Sequence, residues 1–168
     1  MTQGSPSFHF HPSPGLAKAR ACLALLSASG SRDASATYAA LFLADASHLS
    51  RHGRSLYGET WIRGTADGPP VTGLLARALL ADDAPELAGS DITDLTSVSD
   101  RLALADAASL VDGMAADGVR DLVRASPLHG RGAADTPVDI LDGLPPWADR
   151  AEAAFMMAHA SFGPRDFT

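Results

Sequence analysis

The chain has 168 residues, of which 46% are hydrophobic and 20% charged, a composition typical of one globular domain of ordinary size. Its formal net charge of −7 argues against nucleic acid as a partner, because affinity for a phosphate backbone depends on clustered positive charge. The single cysteine, Cys22, excludes an intramolecular disulfide and a cysteine zinc cluster, and its apolar neighbours predict an inert thiol in the core.

Membrane insertion and secretion have no support in the sequence. No apolar run approaches the roughly 20 residues that cross a bilayer. Residues 1–14 lack the basic start and the long apolar stretch of a secretory signal. We therefore expect a soluble cytoplasmic protein.

The N-terminal third predicts an arm followed by two helices. Residues 1–14 contain three prolines and predict an irregular arm. A first helix is expected over residues 15–27, where apolar side chains recur at helical spacing. Asp33 is a suitable N-cap for a second helix that continues to His52. One stripe of that helix carries Tyr38, Leu41, Phe42, Asp45 and Leu49.

The middle of the chain predicts a small β element and then a helix. Residues 56–64 combine β-branched and aromatic side chains, which favours a strand or one arm of a hairpin. Residues 66–70, which end in two prolines, predict a rigid turn. A third helix is expected over residues 71–81, since a proline immediately before a helix suits its start.

The C-terminal half predicts further helices. Residues 92–95 indicate a brief extended piece, and Ser97 with Asp100 forms a capping-box pattern at the start of a helix that stops near Gly113. That helix carries Val98, Leu102, Ala105 and Ser109. Residues 117–125 predict a shorter helix that buries Val119, Leu122 and Val123. Pro145 and Pro146 start a last helix.

These elements predict an α+β fold that is mainly α. It is a single domain of five or six helices with a small β hairpin or strand pair after the second helix. The expected divisions are an N-terminal arm (1–14), a helical domain (15–145) and a C-terminal helix with a tail (146–168).

Asp45 is a carboxylate on an apolar helix face and therefore needs hydrogen-bond partners. His48 lies one helical turn further on and is within reach of it. Arg54 or a backbone N–H of the following turn can satisfy the second carboxylate oxygen. The favoured interpretation is a structural motif that fixes the helix to the following segment, and the alternative is direct contact with a partner.

Catalysis and metal binding have weaker support. Asp45, His48 and Glu59 contain the groups of an acid and base pair, but no nucleophile motif accompanies them. His48 and His52 have the i, i+4 spacing of a shared metal site, yet the further ligands are missing, so surface histidines are the expectation. No phosphate-binding glycine loop occurs either. We expect neither enzyme activity, nor a cofactor, nor a metal.

Residues 38–79 carry a resemblance to a known family. The segments ADASHL, HGRSLYGE and DGPPVTG follow one another in the order of its helix, turn and proline-containing elements. The chain resembles the Panacea, or SocA-like antitoxin, family, with weaker similarity over residues 15–145. The matching residues are Ala44, Asp45, His48, Leu49, Gly53, Arg54, Gly58, Glu59, Gly68, Pro69, Thr72 and Leu75.

The resemblance implies an antitoxin that neutralises a cognate toxin by direct binding, with presentation of the toxin to a protease as one route. By analogy with the family's shared turn, the expected partner-binding residues are Arg54, Tyr57, Glu59, Trp61 and Pro69. The structural motif comprises Asp45, His48, Gly53, Gly58 and Gly68. The alternative is a small structural or accessory subunit of a larger assembly, because a fold alone does not fix function.

Overall fold

The computed structural model describes residues 12–52, 55–56, 61–64, 69–72, 78, 89–129 and 132–144. These residues contain five α-helices, and 70% of them are helical. The helices are α1 (Pro12–Ser29), α2 (Ala34–His52), α3 (Gly89–Leu95), α4 (Val98–Val111) and α5 (Ala116–Ala125). The prediction of a mainly helical protein is confirmed. None of the described helices is both long enough and apolar enough to cross a membrane.

The first two helices form where the sequence predicts them. Helix α1 begins at Pro12, three residues before its predicted start, because a proline in the first turn sacrifices no intrahelical hydrogen bond. Asp33 caps α2 as predicted, with its Oδ1 accepting a hydrogen bond of 2.7 Å from the backbone N–H of Ala36. Residues 1–11 of the predicted arm lie outside the described part of the chain.

Helix α3 corrects one prediction. Residues 92–95 are helical and belong to α3, not to an extended piece. The Thr93 hydroxyl donates to the Gly89 carbonyl at 3.0 Å, and the Thr96 hydroxyl donates to the Ile92 carbonyl at 2.6 Å. These side chains satisfy helix carbonyls, which offsets the low helix propensity of β-branched residues in so short a helix.

Helix α4 starts at the predicted capping box. The Ser97 hydroxyl accepts a hydrogen bond of 3.2 Å from the Asp100 backbone N–H, and the Asp100 carboxylate accepts one of 2.9 Å from the Ser97 N–H. The stripe named from the sequence is, however, the outer face of the helix. The buried residues lie on the opposite side and are Asp100, Ala103, Leu104, Ala107, Ala108 and Val111.

The short helix α5 confirms its prediction, since Val119 and Val123 are buried and Leu122 is half-buried. Two 3₁₀ turns follow, Pro127–His129 and Ile140–Gly143, and the first of them buries Leu128. The last predicted helix, from residue 145, lies outside the described residues. So does most of the predicted third helix. Val71 at its start instead pairs with Ile62.

The predicted β hairpin is not found, because the described residues contain no β-strand. Ile62 instead forms two isolated antiparallel bridges, one with Val71 and one with Pro137. The backbone N–H groups of Ile62 and Val71 donate to each other's carbonyls at 2.8 and 2.9 Å. Pro69, Pro70 and Pro137 have no N–H to donate, so the ladder cannot extend through them.

The core surrounds α2. Residues 39–45 of this helix are all buried, which is the pattern of a helix covered on every side. Helix α2 packs against α4 and α5, and α1 packs against α3 and α4. The ring of Phe42 meets that of Trp61 edge to face, with centroids 5.3 Å apart and planes at 84°. The segment around Trp61 is therefore fixed to the middle of α2.

Candidate functional site

The Asp45 clamp, formed by Asp45, Ser55, Leu56 and Trp61, joins α2 to the segment that follows it. Asp45 is fully buried. Its Oδ1 accepts hydrogen bonds from the Leu56 backbone N–H at 2.5 Å and from the Ser55 hydroxyl at 2.9 Å. Its Oδ2 accepts one of 2.6 Å from the indole N–H of Trp61. A backbone N–H of the following segment does bind Asp45, as one of the sequence-based alternatives proposed, whereas His48, the other expected partner, contacts Asp100 and Ser99.

Two opposing effects act on the charge of Asp45. Burial raises the pKa of this carboxyl group above its ordinary value of 3.8, because the charged form loses its hydration. The hydrogen bonds from Trp61, Leu56 and Ser55 lower the pKa and offset part of that rise. These three donors are electrically neutral, and the charge of His48 adds a smaller effect that also lowers the pKa of Asp45.

A second buried carboxylate joins three helices. Asp100, on α4, lies 2.9 Å from the Lys18 ammonium of α1 and 3.2 Å from His48 Nε2 of α2. Burial alone would raise the pKa of Asp100, but hydrogen bonds from Lys18 and from the Ser97 N–H outweigh burial and hold it below 3.8. We call Lys18, His48, Ser97 and Asp100 the Asp100 junction. Its residues tie α1, α2 and α4 together.

Of the two histidines on α2, His48 departs from its sequence interpretation and His52 agrees with it. His48 is fully buried and contacts Ser99 Oγ at 3.2 Å in addition to Asp100, so it is not a surface histidine. His52 is exposed, and its ring centroid lies 4.6 Å from that of His48. The described residues contain no group of three histidine, cysteine, aspartate or glutamate side chains positioned to hold a metal ion.

The predicted thiol environment is confirmed. Cys22 is free and buried, and burial raises the pKa of its thiol to about 12. A thiol with so high a pKa carries almost no nucleophilic thiolate at neutral pH. Cys22 therefore packs in the core as a small apolar residue.

Of the five predicted partner-binding residues, one is buried, one is half-buried and three lie outside the described part of the chain. Trp61 is only 2% exposed and belongs to the Asp45 clamp, so it offers no surface to a partner. Pro69 is half-buried and lines a cleft. The remaining predicted residues lie outside the described part of the chain and stay predictions: Arg54, Tyr57 and Glu59 for the partner surface, and Gly53, Gly58 and Gly68 for the structural motif.

The outer face of α4 is apolar and exposed. Val98, Leu102, Ala105 and Ser109 follow one another at helical spacing along it, and Leu110 lies at its edge. Val98 is 64% exposed, Leu102 58% and Leu110 50%. Helix α4 thus carries apolar side chains on two opposite faces, of which only one contacts the core.

A cleft of about 430 Å³, which we call the arginine cleft, opens beside the N-terminal end of α2. Its basic lining residues are Arg63, Arg120, Arg124 and His129, and Asp33 is the acidic residue among the described lining. Its apolar wall is formed by Ala36, Ala39, Val111, Met114, Val119 and Val123. The cleft is therefore locally basic in a chain whose net charge is −7.

The sequence interpretation missed this cleft because its basic residues come from three separate segments. Arg120 and Arg124 stand four apart on α5 and thus share one helix face, which is the one signal that was available. Arg63 lies near the end of the predicted strand, with no motif around it. No protein-family model, no curated protein and no solved structure matches the chain.

Proposed function

We propose that this chain is a protein-binding module and that the outer face of α4 is part of its contact surface. The observation that supports the proposal is the exposure of Val98 and Leu102, at 64% and 58%, on a helix whose opposite face is buried. Scattered exposed apolar residues are common, but a stripe along one helix face is typical of a helix that packs on both sides.

The resemblance to the Panacea antitoxins suggests that the bound partner is a toxin. Such a module neutralises a cognate toxin by covering its functional surface, which needs a complementary face and no chemistry of its own. Delivery of the bound toxin to a protease is an extension of the same contact. We expect the complex to form in the cytoplasm and to require no cofactor.

Charge suggests what kind of partner fits. The net charge of −7 repels nucleic acid and favours the approach of a basic protein. Asp106 on α4 is 56% exposed and lies beside the outer face, where it pairs with Arg51 at 3.2 Å. An apolar patch on the partner, bordered by basic residues, would complement this combination.

The test is affinity purification of the tagged chain from its own cells, with the wild type compared against Leu102→Glu. Leucine to glutamate places a charge in the centre of the outer face without touching the core. The matched control is Ala34→Glu, an exposed position in the first turn of α2, where an added carboxylate is tolerated. Circular dichroism and urea unfolding establish that both variants fold like the wild type.

We expect one partner at equal stoichiometry on the wild type and on Ala34→Glu, and its loss from Leu102→Glu. The partner's gene is then expressed alone and together with this chain. Toxicity that the chain suppresses supports the antitoxin function. Recovery of several subunits of one assembly through the same face supports the accessory-subunit alternative. A partner that stays bound to Leu102→Glu as tightly as to the wild type would refute the proposed surface.

A further inference from the structure

We propose that the arginine cleft is a binding site for a small molecule that carries an oxyanion, a phosphate or a carboxylate, attached to a short apolar body. The proposal concerns a different surface from the outer face of α4, and neither depends on the other. A buried guanidinium, the charges around it and the apolar wall of the cleft support it.

Arg63 is only 7% exposed, yet its charge meets no counter-ion among the described residues. Its Nε donates to the His129 carbonyl at 2.9 Å, and its Nη1 donates to the Thr136 hydroxyl at 3.0 Å and to the Pro137 carbonyl at 2.5 Å. All three acceptors are neutral. The other terminal nitrogen, Nη2, has no acceptor among the described residues. Buried charges are normally paired, and the described part of the chain does not supply this guanidinium with the anionic partner that a ligand could provide.

The surroundings add positive charge. Arg120 and Arg124 line the same cleft from one face of α5, and Asp33 is the single carboxylate among the described lining. Asp33 already accepts the Ala36 N–H as the cap of α2. Arg120 reaches Asp117 at 3.1 Å, but that carboxylate is 87% exposed and its attraction is screened by water. Among the described lining residues, arginines therefore outnumber carboxylates by three to one.

Arg63 is held in place before any ligand arrives. Its backbone N–H donates to the Thr136 carbonyl at 2.9 Å, and its carbonyl accepts from the Asp135 N–H at 3.0 Å. Gly132 lies so close that a Cβ there would come within 2.7 Å of the guanidinium carbon. A donor fixed in this way loses little conformational entropy on binding, which is the advantage of a preorganised site.

The opposite wall and the size define the rest of the ligand. Val111, Val119 and Val123 give the cleft an apolar side, and its volume of about 430 Å³ lies within the range of small-molecule sites. A bare ion would leave most of this space empty. A molecule with an oxyanion at one end and a few carbons at the other matches both sides of the cleft.

The experiment is isothermal titration of the full chain with three probes: inorganic phosphate, hexanoate and, as the neutral analogue, hexanol. Arg124→Gln removes a cleft arginine that is exposed and outside the hydrogen bonds of Arg63. Arg51→Gln is its matched control, because it removes the same charge from an exposed arginine away from the cleft. Arg63→Gln is measured as well, with folding verified by circular dichroism.

We expect saturable binding of phosphate or hexanoate at one site, about tenfold weaker in Arg124→Gln and within about twofold of the wild type in Arg51→Gln. Tighter binding of phosphate than of hexanoate, in spite of the missing apolar chain, identifies a phosphate head group, and tighter binding of hexanoate shows that the apolar wall contributes to affinity. The proposal is overturned if neither anion saturates, if hexanol binds as well as hexanoate, or if Arg51→Gln weakens binding as much as Arg124→Gln. Should Arg63→Gln fail to fold, the Arg124 and Arg51 pair still decides the question.

Discussion

Asp45 and Arg63 are both buried charges with neutral hydrogen-bond partners, and they differ in how completely those partners surround them. Both oxygens of Asp45 accept hydrogen bonds, from Leu56, Ser55 and Trp61. Arg63 uses Nε and Nη1 but leaves Nη2 without an acceptor among the described residues, at the wall of a cleft. The Asp45 clamp is closed, whereas the arginine cleft is open.

How fully the hydrogen-bonding groups of a buried charge are occupied indicates whether that residue has a structural role or a binding role, and no sequence motif is needed to tell the two apart. A charge whose hydrogen-bonding capacity is filled from within the protein contributes to stability and has nothing to offer a ligand. A charge with capacity left over, next to a cavity, contributes to stability and to recognition together. Changes at Asp45 should therefore alter stability alone, and changes around Arg63 should alter both stability and anion affinity.

The largest effect is expected for Asp45→Asn. The two obligate donors, the Leu56 N–H and the Trp61 indole N–H, point at different oxygens, so an asparagine amide must face one of them with its own NH₂ group. The free energy of unfolding should fall by about 2–4 kcal/mol although the buried charge is gone. Urea denaturation followed by circular dichroism measures the loss.

Two further variants serve as an exposed control and as a test of one donor. Asp106→Asn makes the same chemical change at a position that is 56% exposed and should alter the unfolding free energy by less than about 0.5 kcal/mol. Trp61→Phe keeps the aromatic packing against Phe42 but removes one donor, and should cost about 1–2 kcal/mol. If Asp45→Asn costs no more than Asp106→Asn, the clamp does not hold the segment to α2.

A smaller effect is expected for Gly132→Ala, which tests the open site. The added Cβ would approach the Arg63 guanidinium to 2.7 Å, and the guanidinium cannot simply move aside because three hydrogen bonds hold it. We expect a loss of about 1–2 kcal/mol in unfolding free energy together with weaker binding of phosphate or hexanoate. Urea denaturation and isothermal titration measure the two quantities.

Gly89→Ala is the control for this variant, because a Cβ at that position in α3 meets no described atom within 4 Å outside its own helix and chain neighbours. It should leave stability unchanged or raise it by about 0.5 kcal/mol, and it should leave anion binding unaltered. An equal response from the two alanine variants would show that Gly132 does not constrain Arg63.

Local signals in the sequence predicted much of the fold. Asp33 as N-cap, the Ser97 and Asp100 capping box and the buried pattern of α5 were all correct, because each depends on residues within one helical turn. The sequence left open which face of α4 is buried. Apolar residues occupy both sides of this helix, so periodicity alone cannot tell which side faces the core.

Interactions between distant segments were not predictable in the same way. Lys18 contacts Asp100, which lies 82 positions further along the chain, and Arg63 contacts Thr136, which lies 73 positions further. A single sequence gives no pairing signal between residues so far apart in the chain. Lys18 was conspicuous as the sole lysine, but nothing identified its partner. For the same reason the Asp45 clamp was foreseen only as a hydrogen bond from some backbone N–H of the following turn, and the structure identifies that donor as Leu56.

Asp100 sharpens the comparison, because it is a buried carboxylate whose partners include the Lys18 cation and His48. Its pKa lies below the ordinary 3.8, so its contribution to stability is complete above pH 3.8 and is lost as the pH falls through the folded-state pKa. The pKa of Asp45 is raised, so the wild type should instead gain stability as the pH falls toward 3.8.

The effect of Asp100→Asn on unfolding free energy should therefore shrink below pH 3.8, while that of Asp45→Asn grows as the pH approaches 3.8 from above. Urea denaturation of the wild type and both variants at constant ionic strength between about pH 2 and 5, below the ordinary range of histidine titration, measures these differences, and groups common to all three proteins cancel. Differences that move in the same direction for both variants would mean that the Lys18 cation does not distinguish the two carboxylates.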